Sequence, residues 1–250
     1  MSAGESIDRI APTRRPEGVR MAQRQRWETL LFLHWRVPVE ALRPLIPAEL
    51  EIDTFDGSAW VGLVPFTMKG VRLSWLPAVP GTSDFHETNV RTYVHYKGRD
   101  PGVWFFSLDA AAWLPAKVAR TFWHLPYFHA DMTLAEADGE VSYATRRLSP
   151  QPAPAVAKVR YRPEGEDFHA TPGTLEHFLA ERYILYAQTR AGLQVGRVHH
   201  PPYPLRKATV FSWEEDLLKA AGIARGGEAP MALWSPGVSV EVYALTDLAR

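Results

Sequence analysis

The sequence predicts a mainly β protein of the α+β type with a few short peripheral helices. Runs rich in aromatic and β-branched residues recur between Pro, Gly and Asp breaks, the pattern of many strands joined by short connections. Helical periodicity is brief wherever it occurs, and no self-similarity is visible at periods of about 20–50 residues, which excludes solenoids and propellers. With 250 residues, 46% of them hydrophobic, the chain is long enough for one sizeable core, so residues 27–250 are expected to form a single domain.

Residues 1–26 hold Pro12, Pro16 and several arginines but few large apolar side chains, the composition of a poorly ordered basic arm. Strands are expected near 28–37, 58–68, 86–96, 102–109, 126–134, 139–147, 154–162, 205–211 and 237–243. Between the first two, Pro38 opens a short helix with Leu42, Leu45 and Ile46 on one side, ended by Pro44 and Pro47. A longer helix is expected from Thr171-Pro172 through Leu175, Phe178, Leu179 and Arg182, because Thr caps and Pro suits a first turn. Another should follow Ser212, with Glu214, Glu215 and Asp216 in its first turn and Gly222 at its end. Segment 113–124 also reads as helix, with Pro115 in the first turn, and the Pro-rich run 149–154 reads as an ordinary loop.

Charge is balanced at 28 basic and 28 acidic side chains, so no global field draws the molecule to nucleic acid or to an anionic membrane, and neither is an expected partner. The chain has no Cys, which excludes disulfides, thiolate metal sites and a cysteine nucleophile and fits the cytoplasm as the expected location. No apolar run reaches the length of a membrane helix, and no signal-peptide centre is visible. Histidines are numerous, but adjacent His199 and His200 point apart on an extended chain and no His-Glu-x-x-His spacing occurs, so no metal is expected. Dinucleotide, P-loop and Gly-x-Ser-x-Gly motifs are missing, which leaves no cofactor to expect. Edge strands make a homodimer a candidate assembly.

The informative stretch is Glu87-Thr88-Asn89-Val90-Arg91-Thr92-Tyr93-Val94-His95. Strand side chains alternate, so Glu87, Asn89, Arg91, Tyr93 and His95 share one face, and that face is either solvated or turned toward a pocket. Solvated faces usually carry Lys, Glu and Thr. Glu, Asn, Arg and Tyr in series instead suit a hydrogen-bonded network whose arginine fork receives a carboxylate. Glu87 is the candidate proton carrier, while Arg91, Asn89 and Tyr93 are the candidate substrate-binding residues. Lys117 lies in an apolar neighbourhood, where desolvation would lower its pKa and permit Schiff-base chemistry; snorkelling to water is the alternative.

Leu31-Phe32-Leu33-His34-Trp35-Arg36, followed by the Ala41-Leu42-Arg43 helix and the Leu50-Glu51-Ile52-Asp53 turn, resembles an early segment of acetoacetate decarboxylases. Together with Phe85-His86-Glu87-Thr88-Asn89-Val90-Arg91 and Leu175-Glu176-His177-Phe178-Leu179-Ala180-Glu181-Arg182-Tyr183, it is similar to the YqjF-like family of bacterial proteins over roughly residues 27–245. The resemblance implies the double-sheeted, cone-shaped β-barrel of the acetoacetate decarboxylase-like superfamily, with a central pocket, and it matches Glu87 to a pocket glutamate. It also shows a departure. Decarboxylases carry Pro-Lys-Lys, whose first Lys forms the Schiff base (the handling of that lysine pair is a standard example of a lowered amine pKa), whereas this chain has Pro115-Ala116-Lys117. The resemblance therefore speaks for the fold and against acetoacetate decarboxylase activity itself. Two functions follow as expectations: an enzyme with lyase-like action on a keto acid, or a noncatalytic protein that holds a small metabolite in the same pocket. Beyond these two stands a protein-interaction role for Trp75, Trp104 or Trp123 if they are exposed.

Overall fold

A computed structural model describes residues 7–75, 83–112, 125–150 and 155–248. In chain order the elements are β1 (Met21–Val37), α1 (Val39–Leu42) continued by a 3₁₀ turn (Arg43–Leu45), β2 (Glu51–Ile52), β3 (Ala59–Leu73), β4 (Phe85–Tyr96) and β5 (Arg99–Ala110). Then come β6 (Tyr127–Ala137), β7 (Glu140–Ser149), β8 (Val156–Phe168), α2 (Leu175–Ala180), β9 (Ile184–Thr189), β10 (Gly192–His199), β11 (Leu205–Glu215), α3 (Leu217–Ala220), β12 (Met231–Tyr243) and β13 (Thr246–Asp247). No helix among the described residues is long and apolar enough to cross a membrane.

All nine expected strands are present, and four more accompany them among the described residues. β2 and β13 are two residues each, too short for alternation to register, and the β9–β10 hairpin lies where apolar and polar residues do not alternate strictly. The helices are shorter than expected. Thr174, whose Oγ1 accepts from the His177 amide, replaces Thr171 as the cap of α2, because Gly173 (φ +90°) turns the chain just before it. β11 runs on to Glu215, so the acidic residues expected in the first turn of the last helix belong largely to a strand. Only Glu215 acts at the helix start, accepting from the Leu218 amide at 3.0 Å. The helix expected over 113–124 lies outside the described residues.

The basic arm expected over residues 1–26 is corrected by the structure from Asp8 onward. Arg9 makes a two-pronged ion pair with Asp53 at 2.5 and 2.7 Å, Pro12 is buried, and β1 begins at Met21. Composition misled because Arg24 and Arg26 are the exposed half of an alternating strand whose other half is Gln23, Gln25 and Trp27.

The strands form one sheet with two closed circuits that share β12, β1, β3, β4 and β5. One circuit leaves β5 at Leu108–Ala110 for β6 and returns through β7, β8 and β11 to β12 at Leu233–Trp234. The other leaves β5 at Val103–Trp104 for β9 and returns through β10 to β12 at Val242. The shared strands therefore have an interior on each face. Leu31, Leu33, Val61 and Val90 pack with Tyr143 and Tyr161 in the first interior. Leu30, Phe32, Val64 and Phe66 pack with Val198 and Tyr203 in the second.

Two glycines make this geometry feasible. Gly237 (φ +130°) pairs with Glu28 beside Thr29 (φ +52°), where the β1–β3 register shifts, and a Cβ at 237 would run into the Trp27 carbonyl oxygen. That bend lies between the stretch of β12 paired with β11 and the stretch paired with β10. At Gly102 a Cβ would stand 2.7 Å from the Ile184 carbonyl oxygen, so only glycine admits β9 this close to β5.

Candidate functional site

Because β4 is a shared strand, its alternation sends Val90 into the packed interior and Glu87, Asn89 and Arg91 into the opposite one, where they line a cavity of about 140 Å³. A cavity of about 150 Å³ accommodates a six-carbon ring, so this space suits a small metabolite. Phe32 and Val64 supply apolar wall, and Leu125 and Tyr127 close one side where β6 begins.

Glu87 is 2% exposed, and burial pushes its carboxyl up to about 8. A hydrogen bond from the Tyr127 phenol opposes that rise and the charge of Asp109 adds to it. Glu87 therefore holds its proton at neutral pH. Asp109 itself is fully buried and held by both prongs of Arg147 at 2.8 Å. Glu87 Oε2 and Asn89 Oδ1 are buried without a hydrogen-bond partner among the described residues. Arg91 donates from Nη2 to the Leu179 carbonyl at 2.9 Å, while its Nε is likewise unpartnered. Unsatisfied polar atoms of this kind are rare in native interiors, and three sequential face-mates of one strand carry them here.

The remaining members of the expected face differ. Tyr93 does not line the cavity, because its hydroxyl donates to the Leu179 carbonyl at 2.8 Å and meets His34 Nε2 at 2.6 Å. With that proton committed, His34 must donate through Nε2, and burial keeps its imidazole neutral by holding its pKa well below the usual value. Tyr93 thus braces the site from behind. His95 stands at the far end of β4 beside Glu51. Lys117 lies outside the described residues. Of the histidine pair, His200 is buried and stacked on Tyr183 at 4.3 Å with its pKa pushed down to about 4 by burial, a structural role.

Four residues that the sequence reading passed over belong to the site: Tyr127, Arg182, Gln23 and Gln25. The two glutamines form a chain with Trp27, whose indole donates to Gln25 and Gln25 in turn to Gln23, each at 2.8 Å. Their signal was present as alternation with Arg24 and Arg26. Arg182 had no such signal, since its partner Asp53 is remote in sequence. Trp75 is 66% exposed, Trp104 is half-buried, and Trp123 lies outside the described residues.

This doubly closed sheet around a cavity with one polar wall is the acetoacetate decarboxylase-like fold. An acetoacetate decarboxylase from Legionella pneumophila superposes with a TM-score of 0.62 over 93% of this chain and 90% of its own, at 13% identity. An acetoacetate decarboxylase-like enzyme from Sphingomonas wittichii RW1 gives 0.62 over 92% and 94%, at 14% identity. The enduracididine biosynthesis enzyme MppR, complexed with pyruvate, gives 0.62 over 95% of both chains, at 13% identity. The chain belongs to the DUF2071 family, described as an uncharacterized conserved protein, whose pattern matches residues 24–239. Within it, the uncharacterized protein YqjF of Bacillus subtilis (strain 168) is 43% identical over 216 residues, 86% of this chain and 88% of the relative.

Proposed function

We propose that the protein binds a small carboxylate that also carries a carbonyl group, with Arg91 and Asn89 receiving the anion and Glu87 serving as the proton-bearing group. The observation that carries this reading is the row Glu87, Asn89 and Arg91 in one cavity wall, each with a buried polar atom unpartnered among the described residues. A guanidinium without a carboxylate partner is a ready receptor for one. A neutral carboxyl beside it donates a hydrogen bond to a carbonyl oxygen and delivers a proton to a carbon that develops negative charge. The pyruvate held by MppR, on the same fold, is a molecule of this class.

The test is thermal unfolding of the whole chain with a panel of short 2-oxo and 3-oxo acids. A binder should raise the midpoint for the natural sequence, and Arg91→Ala should remove the rise while the variant still unfolds cooperatively. An equal rise in Arg91→Ala would overturn the reading. Lys117 enters through the sequence alone. As a nucleophile it would leave a borohydride-reduced adduct with a 3-oxo acid on its own peptide; an unlabelled peptide alongside measured turnover assigns the chemistry to Glu87 without a Schiff base. Tight binding without turnover by any panel member identifies the protein as a metabolite holder.

A further inference from the structure

We infer that the ligand of this cavity carries two anionic groups, as a short dicarboxylate does, and that Arg182 binds the second of them. The inference rests on the ligand-binding reading above and extends it to a residue and a substrate class.

Arg182 lies just beyond α2 and forms part of the same cavity wall as Arg91. Its side chain is 3% exposed and rigidly held: Nε donates to the Phe178 carbonyl at 2.7 Å and Nη1 to Asp53 Oδ2 at 2.9 Å. The guanidinium also covers the Phe178 ring, 4.3 Å from its centroid. The third nitrogen, Nη2, is buried with no partner among the described residues. A fixed fork with one donor left over is the arrangement expected of a receptor rather than of a purely structural ion pair. Arg91 and Arg182 stand near one another, since both guanidinium carbons lie over the Tyr93 ring, at 5.6 and 4.8 Å from its centroid.

Charge balance points the same way. Arg9 and Arg182 share the single carboxylate of Asp53, and Arg91 has no acidic partner among the described residues. Glu87 is neutral at pH 7, so it does not offset them. Glu181 is committed to the Tyr183 hydroxyl at 2.6 Å and the Tyr203 amide at 2.9 Å, Asp109 to Arg147, and Asp100 to Arg197. Burial without sufficient counter-charge pulls Arg182 down to about 10, as the excess of cations requires. Of the undescribed residues, 76–82, 113–124 and 151–154 contain no Asp or Glu, while 1–6 contains Glu5. Arg9 is partly solvated at 23% exposure, but Arg91 and Arg182 are buried with Asp53 as their one ionised partner among the described residues, an excess of cations that a dianion relieves more fully than a monoanion.

The test is calorimetric titration of the full chain with malonate, succinate and 2-oxoglutarate against acetate, butyrate and 2-oxobutyrate. Dicarboxylates should bind at least ten-fold more tightly than the monocarboxylates. Arg182→Lys keeps a cation opposite Asp53 but loses the spare donor, and it should bring that ratio toward one. Equal affinities in the natural sequence, or a ratio untouched in a folded Arg182→Lys, would overturn the inference while leaving the cavity as a carboxylate site. Failure of every carboxylate to bind would overturn the underlying reading as well.

Discussion

At the residue scale, the protonated state of Glu87 has a thermodynamic signature. Its carboxyl sits at about 8 in the folded protein against an ordinary 4.5, so between those values the folded state holds a proton that the unfolded state has released. The folded state binds more protons, and stability therefore falls as pH rises through that window, by about 1.4 kcal/mol per pH unit from this group. Glu87→Gln should remove that contribution: above pH 8 the variant should be the more stable of the two, with the gap closing as pH falls toward 4.5. Thermal unfolding from pH 4.5 to 9 measures it. A constant difference between the two proteins across that range would refute a raised Glu87. The alternation that exposed Glu87, Asn89 and Arg91 was legible from the sequence because it is local and obeys the two-residue period of a strand. Alternation gives the face of Tyr93 but not the depth at which its hydroxyl finds its partners, here Leu179 and His34.

At the element scale, β12 serves two circuits through the bend at Gly237. Because its φ of +130° and the nearby Trp27 carbonyl both exclude a side chain, Gly237→Ala should cost about 3 kcal/mol. Chemical denaturation checks this, and a loss below about 0.5 kcal/mol would show that the bend does not need glycine. The sequence revealed β12 only as 237–243, starting at this glycine, since the pattern Met231-Ala232-Leu233-Trp234-Ser235-Pro236 reads as a broken run. The β9–β10 hairpin escaped for a related reason. Ile184, Tyr186 and Ala187 are all buried, the first two packing with Ile46, Leu50 and Val94, so the polar half of the alternation is lost. Capping logic located α2 but overran both its ends. The Glu181 and Arg182 side chains that close it are recruited by Tyr203 and Asp53, partners that periodicity does not show.

At the scale of the whole molecule, the sharing of five strands between two interiors explains a division of labour. One interior is filled by aliphatic and aromatic side chains and stabilises the fold; the other is left with a cavity lined in part by buried cations. The family likeness made this architecture legible, while the buried ion-pair cluster behind the cavity required the structure, because Arg182, Asp53 and Arg9 converge from three distant parts of the chain. A ligand present at a hundred times its dissociation constant should add about 2.7 kcal/mol to stability, which for a chain of this length is a midpoint rise of about 5–10 °C. The central claim is that Arg91 and Asn89 receive a carboxylate inside this cavity, and a crystal of the whole chain soaked with a short 2-oxo acid tests it most directly. The ligand's carboxylate should lie within hydrogen-bonding distance of Arg91 and Asn89, with its carbonyl oxygen facing Glu87. A cavity holding only water at saturating ligand, or a ligand seated elsewhere on the molecule, would contradict it.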